Sequence, residues 1–246
     1  EIVAEGPLLV CKLNLWTGKT ETVCTQRIES EQFCFQVQIQ PEDSALYVLS
    51  NDRGDETEST PEEKRRWETL PLSVWNLIVE AWKPGQRQCI RTIERSEFFY
   101  ETRKEPVTLR LEHLKTWDEI SELGTEISGT ACYETTFTLP HGTTAVRVDL
   151  GDYLGLADVA VNNLSAPTVN PVISVLDITK LCHEGVNQLT IRYASLLGNA
   201  ALASGSIQAH PVPVNFRGNT YHAGSNNQTG FRSYGLKQVV VEAVEL

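Results

Sequence analysis

Three aspartates, Asp149, Asp152 and Asp158, lie within ten positions of the stretch DLGDYLGLADVAVNN. Two neighbouring carboxylates are what most glycoside hydrolases use, one as the acid and the other as a nucleophile or base. Carboxylate groups also bind cations such as Ca²⁺. Because the chain has 32 acidic residues, nearby pairs arise in the sequence whatever its function. The strands and loops that carry the three aspartates therefore determine which of them could contact a substrate or a cation.

Strand periodicity assigns two of these aspartates to a solvent-facing surface. In AVRVDL (145–150) and ADVAVN (157–162), aliphatic residues occupy every second position. In a strand, this alternation separates an inner face from an outer one. Asp149 and Asp158 have the outward parity. We expect each to be solvated or paired with a basic side chain such as Arg147.

The remaining aspartate and the aromatic residues suggest where a ligand would be contacted. Asp152 lies beside Tyr153 in the connecting loop GDYLGL, and binding residues commonly project from loops. Segment 215–235 has many Asn, Gly, Arg and Tyr residues and hardly any aliphatic ones, which suits a recognition loop, although a plain surface loop is the simpler explanation. Trp75 and Trp82 have opposite strand parity, so at least one is expected in the core.

Motifs for other chemistries are absent from the sequence. It has no G-x-S-x-G nucleophile elbow, no G-x-G-x-x-G dinucleotide fingerprint and no Walker loop. The six cysteines include no C-x-x-C pair, and His183 beside Cys182 has no second ligand pair nearby, which argues against a zinc site. We therefore expect no catalytic residue, no metal centre and no cofactor in this chain.

Composition narrows the range of partners. The formal net charge is −11, which would repel a nucleic-acid backbone or an anionic membrane surface. No apolar run approaches the roughly 18 residues that a membrane helix needs. The chain starts at Glu1 and contains no Met, as expected of a processed chain or of a piece of something longer.

Two features fit a secreted or extracellular protein. Glycosylation sequons begin at Asn163 and Asn227, which are the glycosylation candidates. Cys24 and Cys34 flank the segment IESEQ as cross-strand residues of a hairpin would, and they are the candidate disulfide. The alternative is that all six cysteines are buried free thiols.

Short alternating segments predict an all-β fold with two antiparallel β-sandwich units. Residues 1–50 alternate through LLVCKLNLW, QFCFQVQIQ and ALYVLS and predict the first sandwich portion. Residues 51–73 are charged and poor in apolar side chains, which predicts a linker, with one short helix at the capping box Thr60-Pro61-Glu62-Glu63. Short strands in 74–246, broken by Gly, Pro and Asn, predict the second sandwich, with a turn at Lys83-Pro84-Gly85.

The motif order in this second part resembles a known architecture. SGTACYETTFTLP, AVRVDLGDYLGLADVAVN and LDITKLCHEGVNQLTIRYASLLGN follow one another as in the galactose-binding-like β-sandwich of large glycoside hydrolases. With VWNLIVEAWKPG and LKTWDEISEL ahead of them, the order is most similar to the C-terminal region of family 106 α-L-rhamnosidases. It resembles the sugar-binding domain of family 2 β-glycosidases more distantly. The resemblance implies a galactose-binding-like jelly roll in 74–246.

The resemblance also implies a carbohydrate-related role without catalysis. In such enzymes a separate barrel carries the acid and the base, and nothing in this sequence reads as that barrel. The candidate carbohydrate-binding residues are Asp152, Tyr153, Asn162, Asn199 and Arg232.

This sequence departs from the family pattern at two places. The segment Ser195-Leu196-Leu197-Gly198-Asn199-Ala200 stands where an Asn-Arg motif usually follows the hairpin, and Asn162-Asn163-Leu164 replaces the usual VNG turn. A structural calcium is common in modules of this shape. Only by analogy would Glu242 and Glu245 near the closing strand hold it, and solvated strand residues explain them more simply.

These observations lead to one principal hypothesis and two alternatives. The principal hypothesis is a fragment or processed chain that forms the non-catalytic β-sandwich part of a rhamnosidase-like glycoside hydrolase. It would support a separate catalytic barrel and bind plant-type polysaccharide. The first alternative is a free-standing secreted lectin or adhesion module. The second is a chain that hydrolyses glycosides by itself.

Overall fold

A computed structural model describes residues 2–5, 9–15, 18, 20–29, 32–37, 39, 44–50, 66–91, 96–170, 172–204 and 230–245. Its sheets are antiparallel throughout the described residues, and the chain has an all-β sandwich fold, as predicted. The described residues contain no helix with the length and hydrophobicity needed to cross a bilayer. The candidates at 60–63 and at Asn227 lie outside the described residues.

The strands of the N-terminal part are β1 Ile2–Glu5, β2 Leu9–Leu13, β3 Thr20–Thr22, β4 Gln26–Glu29, β5 Gln32–Phe35 and β6 Leu46–Ser50. Those that follow are β7 Glu68–Leu70, β8 Trp75–Arg91, β9 Ser96–Leu111, β10 Ser128–Leu139, β11 Thr143–Asp149, β12 Leu156–Val161, β13 Leu164–Ser165, β14 Val175–Asp177, β15 Gly185–Ala194 and β16 Val240–Glu245. The short helices are α1 Gly198–Ala203 and two 3₁₀ turns, Trp117–Glu119 and Thr179–Leu181.

Two three-stranded sheets form the N-terminal unit, in the orders β1-β5-β4 and β3-β2-β6. Phe35 and Tyr47 bring the two sheets together, with ring centroids 5.4 Å apart. Cys34 and Phe35 are both buried although they are neighbours in β5, so both faces of this central strand are covered at its C-terminal end.

The register of the β4–β5 hairpin offsets the two cysteines of the candidate disulfide. Gln26 lies opposite Cys34, whereas Cys24 precedes β4. The hairpin is centred one residue later than a symmetric Cys24–Cys34 pair requires, and a bulge shifts its register between Arg27 and Glu29. The two cysteines are therefore not directly opposed across the strands.

The second unit is a sandwich of a six-stranded sheet, in the order β13-β12-β15-β10-β8-β9, and a four-stranded sheet, in the order β14-β11-β16-β7. One apolar cluster joins inward side chains of both sheets. Tyr133, Ile191 and Val159 enter it from the larger sheet, and Val148 and Val241 enter it from the smaller. In β12 and most of β11, buried positions alternate with more exposed ones as the sequence predicts.

Strand β7 lies near the end of the segment predicted as a linker. Its residues Glu68–Leu70 pair with β16, and Leu70 contributes to the core. The second sandwich therefore takes in residues from Glu68 onward, ahead of the predicted start at 74.

The turn predicted at Lys83-Pro84-Gly85 is instead a β-bulge within a long ribbon. Strand β8 continues to Arg91 and pairs with β9, with a register shift between Pro84 and Arg87. Strand β10 pairs with β8 only as far as Trp82, so Pro84 lies in a two-stranded ribbon beside a bulge, a position at which a strand accommodates proline. A Cβ at Gly85 would lie 2.9 Å from the Glu101 carbonyl oxygen, which explains the glycine.

Candidate carbohydrate-binding site

Asp149 and Asp158 lie on opposite outer surfaces of the sandwich. Asp149 belongs to β11 of the four-stranded sheet, whereas Asp158 belongs to β12 of the six-stranded sheet. Both point away from the core that separates the sheets, and stacked sheets lie roughly 10 Å apart. The two carboxylates therefore cannot form the acid pair of a glycosidase.

Arg147 has a different partner from the one expected. Its Nε lies 2.6 Å from Oε2 of Glu242, directly across β11 and β16, and its guanidinium lies 4.1 Å from the ring centroid of Trp67. Asp149 instead accepts hydrogen bonds from the Gly151 N–H at 2.9 Å and the Ser174 hydroxyl at 3.0 Å.

A calcium site at the closing strand gains no support from these contacts. Glu242 is neutralised by Arg147, and the side chain of Glu245 lies outside the described residues. Within the described chain, no group of three or more His, Cys, Asp or Glu side chains is arranged to hold a metal ion.

Tyr153 is anchored to the core, whereas Asp152 is exposed. The Tyr153 ring packs edge-on against Tyr193, with centroids 6.3 Å apart. Burial raises the pKa of the Tyr153 hydroxyl, and the charge of Asp158 raises it further. Of this predicted pair, only Asp152 projects into solvent.

Asn162 closes the turn between β12 and β13. It has a positive φ of 52°, as does its neighbour Asn163 at 66°, in the conformation that two-residue hairpin turns require. The Asn162 amide donates to the Leu181 carbonyl at 3.1 Å and to Oδ1 of Asn187 at 2.8 Å, and it accepts from the Gln188 N–H at 3.0 Å. Both amide hydrogens are used within the chain, so a structural role accounts for Asn162.

Asn199 and Arg232 are brought together, but through the backbone of Arg232. The buried Asn199 amide donates to the carbonyls of Thr125 at 2.8 Å and Arg232 at 2.7 Å, and it accepts from the Arg232 N–H at 2.9 Å. Asn199 is 1% exposed and fastens the chain at Arg232 to helix α1. The Arg232 side chain is exposed.

A depression on the outer face of the six-stranded sheet collects polar side chains that sequence reasoning did not bring together. This polar groove has a volume of about 470 Å³. Its polar lining includes Glu134, Asp158, Asn163, Ser165, Thr190 and Arg192. The register explains the cluster, because Asp158 lies opposite Arg192 across β12 and β15, and Glu134 lies opposite Thr190 across β10 and β15.

A second depression adjoins the polar groove on the same face. This apolar groove, of about 460 Å³, shares Asp158 and Arg192 with the first. Its further lining is largely apolar and includes Ile78, Cys132 and Leu156. Ile78 and Leu156 are 49% and 69% exposed, so carbon-rich surface is open to a ligand beside the charges.

The charges in the polar groove are not used within the described chain. The side chains of Asp158, Glu134 and Arg192 form no hydrogen bond or ion pair with another described residue. On the next two strands of the same face, by contrast, Glu80 pairs with Lys104 at 2.9 Å. The groove therefore holds two carboxylates and a guanidinium whose hydrogen-bonding capacity remains available.

The pKa of the Cys132 thiol responds to the charges of both Glu134 and Arg192. Burial raises its pKa most, the carboxylate of Glu134 raises it further, and Arg192 opposes them. The strands thus hold both charges close enough to act on one side chain. Alternation in CYETTFTLP and NQLTIRYAS predicts that Glu134 and Arg192 face outward, but sequence does not give the strand pairing that joins them to Asp158.

The fold of this chain is similar to part of a rhamnosidase from Novosphingobium sp. PP1Y, with a TM-score of 0.65 and 19% sequence identity. The likeness covers 97% of this chain and 21% of the rhamnosidase, so the chain spans about a fifth of that protein's length. At this identity the likeness establishes the fold.

Two β-glucuronidases, from Faecalibacterium prausnitzii and an uncultured Clostridium sp., are less similar. Each gives a TM-score of 0.38, at 16% and 15% identity, and each likeness covers 76% of this chain and 33% or 30% of the glucuronidase. These scores are too low to carry an argument. No family model matches the sequence, and no curated protein matches it either.

Proposed function

We propose that this chain is the non-catalytic β-sandwich part of a rhamnosidase-like glycoside hydrolase. The observation that carries the proposal is the extent of the fold likeness, which takes in nearly all of this chain and about a fifth of the rhamnosidase. The motif order SGTACYETTFTLP to LDITKLCHEG supports it independently. In this proposal a separate barrel supplies the acid and base, and the sandwich accompanies it.

The positions of Asp149, Asp158 and Glu242, the carboxylates singled out in the sequence, support a role other than catalysis. Glycoside hydrolysis needs two carboxyl groups about 5–9.5 Å apart. Asp149 and Asp158 face away from each other across the sandwich, and Glu242 is paired with Arg147. Incubation of the isolated chain with an aryl α-L-rhamnoside tests this directly, and we expect no turnover. Turnover that survives repurification would contradict a non-catalytic role.

We also propose that the sandwich binds polysaccharide outside the cell. The open hydrogen-bonding groups on the larger sheet are of the kind that sugar hydroxyls engage. Isothermal titration of the isolated chain with rhamnose-containing oligosaccharides tests the proposal, with saturable heat as the expected result. Absence of heat with all such oligosaccharides would leave a purely structural role.

The coding sequence around this chain separates the proposal from a free-standing lectin. We expect an open reading frame that continues into a barrel-forming segment. A single native product that ends near residue 246, identified by mass spectrometry, would favour the lectin and count against a hydrolase part.

A further inference from the structure

The structure assigns the carbohydrate contact to the polar groove and the apolar groove on the larger sheet, with a neutral oligosaccharide as ligand. This inference rests on the proposed function, because it locates the binding that the function requires. It moves the site away from the loop of Asp152 and onto the strands β12, β15, β10 and β8.

The strand register builds this site. One row across the sheet runs from Asp158 to Arg192, Cys132 and Ile78, each directly opposite the next. Three interstrand spacings of about 4.8 Å give a row of roughly 14 Å, which is longer than one sugar ring. The ligand is therefore an oligosaccharide. Side chains on paired strands are also more rigidly placed than those of a loop.

The chemistry of the row fits a neutral sugar chain. Sugar hydroxyls donate to the carboxylates of Asp158 and Glu134 and accept from the guanidinium of Arg192, and all three groups lack partners within the described chain. Ile78 and Leu156 offer apolar surface to the C–H groups of the rings. Two carboxylates against one guanidinium leave the groove negative, so a chain of uronates would be repelled.

Substitutions that remove a charge and keep a polar side chain test the site without disturbing its strands. Asp158 and Arg192 are exposed, so Asp158→Asn and Arg192→Gln should leave folding intact. Arg110→Gln is the matched control, because Arg110 lies on the same face in β9, is exposed and lines neither groove. Asp152→Asn tests the loop instead. Circular dichroism melts of all four variants check folding.

The titrant is a neutral rhamnose-containing oligosaccharide, with oligogalacturonate of equal length as the charged comparison. We expect Asp158→Asn and Arg192→Gln each to weaken binding about tenfold or more, and Arg110→Gln and Asp152→Asn to change Kd less than twofold. The wild type should prefer the neutral ligand.

Each other outcome overturns a defined part of the inference. If only Asp152→Asn weakens binding, the chain binds sugar at the loop, and the groove assignment fails while the proposed function stands. Tighter binding of oligogalacturonate overturns the neutral ligand class. If the wild type sediments as a dimer that Arg192→Gln dissociates, a second copy occupies the face and the sugar site is refuted. If no sugar binds, the groove site and carbohydrate binding fail together.

Discussion

Asp158 and Arg192 lie directly opposite each other across β12 and β15 but form no ion pair. Arg147 and Glu242 are also directly opposite, across β11 and β16, and Nε of Arg147 lies 2.6 Å from Oε2 of Glu242. Both arrangements are cross-strand pairs of opposite charge on an outer face. In the Arg147–Glu242 pair both charges are engaged, and Arg147 also stacks on Trp67. Asp158 and Arg192 line the polar groove, where a ligand can reach them. The sandwich thus has a structural charge pair on one side and available charges on the other.

Replacing the arginine of each pair should have different effects on stability. Arg147→Gln removes the partner of the half-buried Glu242 and the contact with Trp67, so we expect a loss of about 1–2 kcal/mol in the free energy of unfolding. Arg192→Gln should change it by less than about 0.5 kcal/mol. Urea denaturation of both variants measures the difference. Equal losses would mean that Arg192 is engaged as firmly as Arg147.

Asn199 should be important for stability and not for direct binding. Asn199→Ala leaves the Thr125 carbonyl and both backbone groups of Arg232 without their partner inside the protein. We expect a loss of about 3 kcal/mol or more, since each buried unsatisfied group costs roughly 1–3 kcal/mol. Asn76→Ala, at an exposed position in β8 with an ordinary backbone conformation, is the control for urea denaturation. An Asn199→Ala variant with the free energy of unfolding of the wild type would contradict a stabilising role for the hydrogen bonds of Asn199 to Thr125 and Arg232.

The rate of Cys132 alkylation should respond oppositely to its two charged neighbours. Glu134 raises the thiol pKa, so Glu134→Gln lowers it and increases the reactive thiolate at pH 8. Arg192 lowers the pKa, so Arg192→Gln should slow alkylation. Iodoacetamide labelling followed by peptide mass spectrometry gives the rates.

Cys182 is an internal control for that experiment. Burial, with a smaller contribution from Asp177, raises its pKa to about 11, and neither Glu134 nor Arg192 is among the causes. Its labelling rate should stay constant in both variants. If both substitutions changed the alkylation rate of Cys132 in the same direction, the two charges would not act on the thiol as the groove geometry requires.

Glycosylation at Asn163 should interfere with ligand binding. Asn163 begins a sequon, is exposed, and lines the polar groove. We expect a chain secreted from a eukaryotic host to carry a glycan there and to bind oligosaccharide more weakly until the glycan is removed enzymatically. Peptide mass spectrometry establishes occupancy, and titration before and after deglycosylation gives the affinities. Undiminished affinity with Asn163 fully occupied would place the ligand elsewhere.

Sequence alone predicted which way side chains face, because alternation in a strand follows from backbone geometry. Asp149 and Asp158 were placed outward on this basis, and Trp75 is buried as one of two tryptophans of opposite parity. Sequence did not predict that the two aspartates belong to different sheets. Sheet membership depends on pairing between distant segments.

The same limit explains the errors in local detail. Lys83-Pro84-Gly85 has turn composition, but pairing with β9 carries the strand through it as a bulge. The spacing of Cys24 and Cys34 likewise does not give the hairpin register, which is centred one residue later, and their disulfide stays a prediction. The polar groove was missed for the corresponding reason, since Glu134, Asp158 and Arg192 come from three strands that only the register brings together.

Backbone chemical shifts distinguish a carbohydrate site on the six-stranded sheet from one on the loop of Asp152. The measurement is a titration of the ¹⁵N-labelled chain with a neutral rhamnose-containing oligosaccharide, followed through its amide resonances. We expect saturable shifts that cluster at 158–160 in β12, 190–192 in β15 and 132–134 in β10, with little change in the loop 151–155. Shifts confined to the loop, or the absence of saturable shifts, would contradict a carbohydrate site on the sheet.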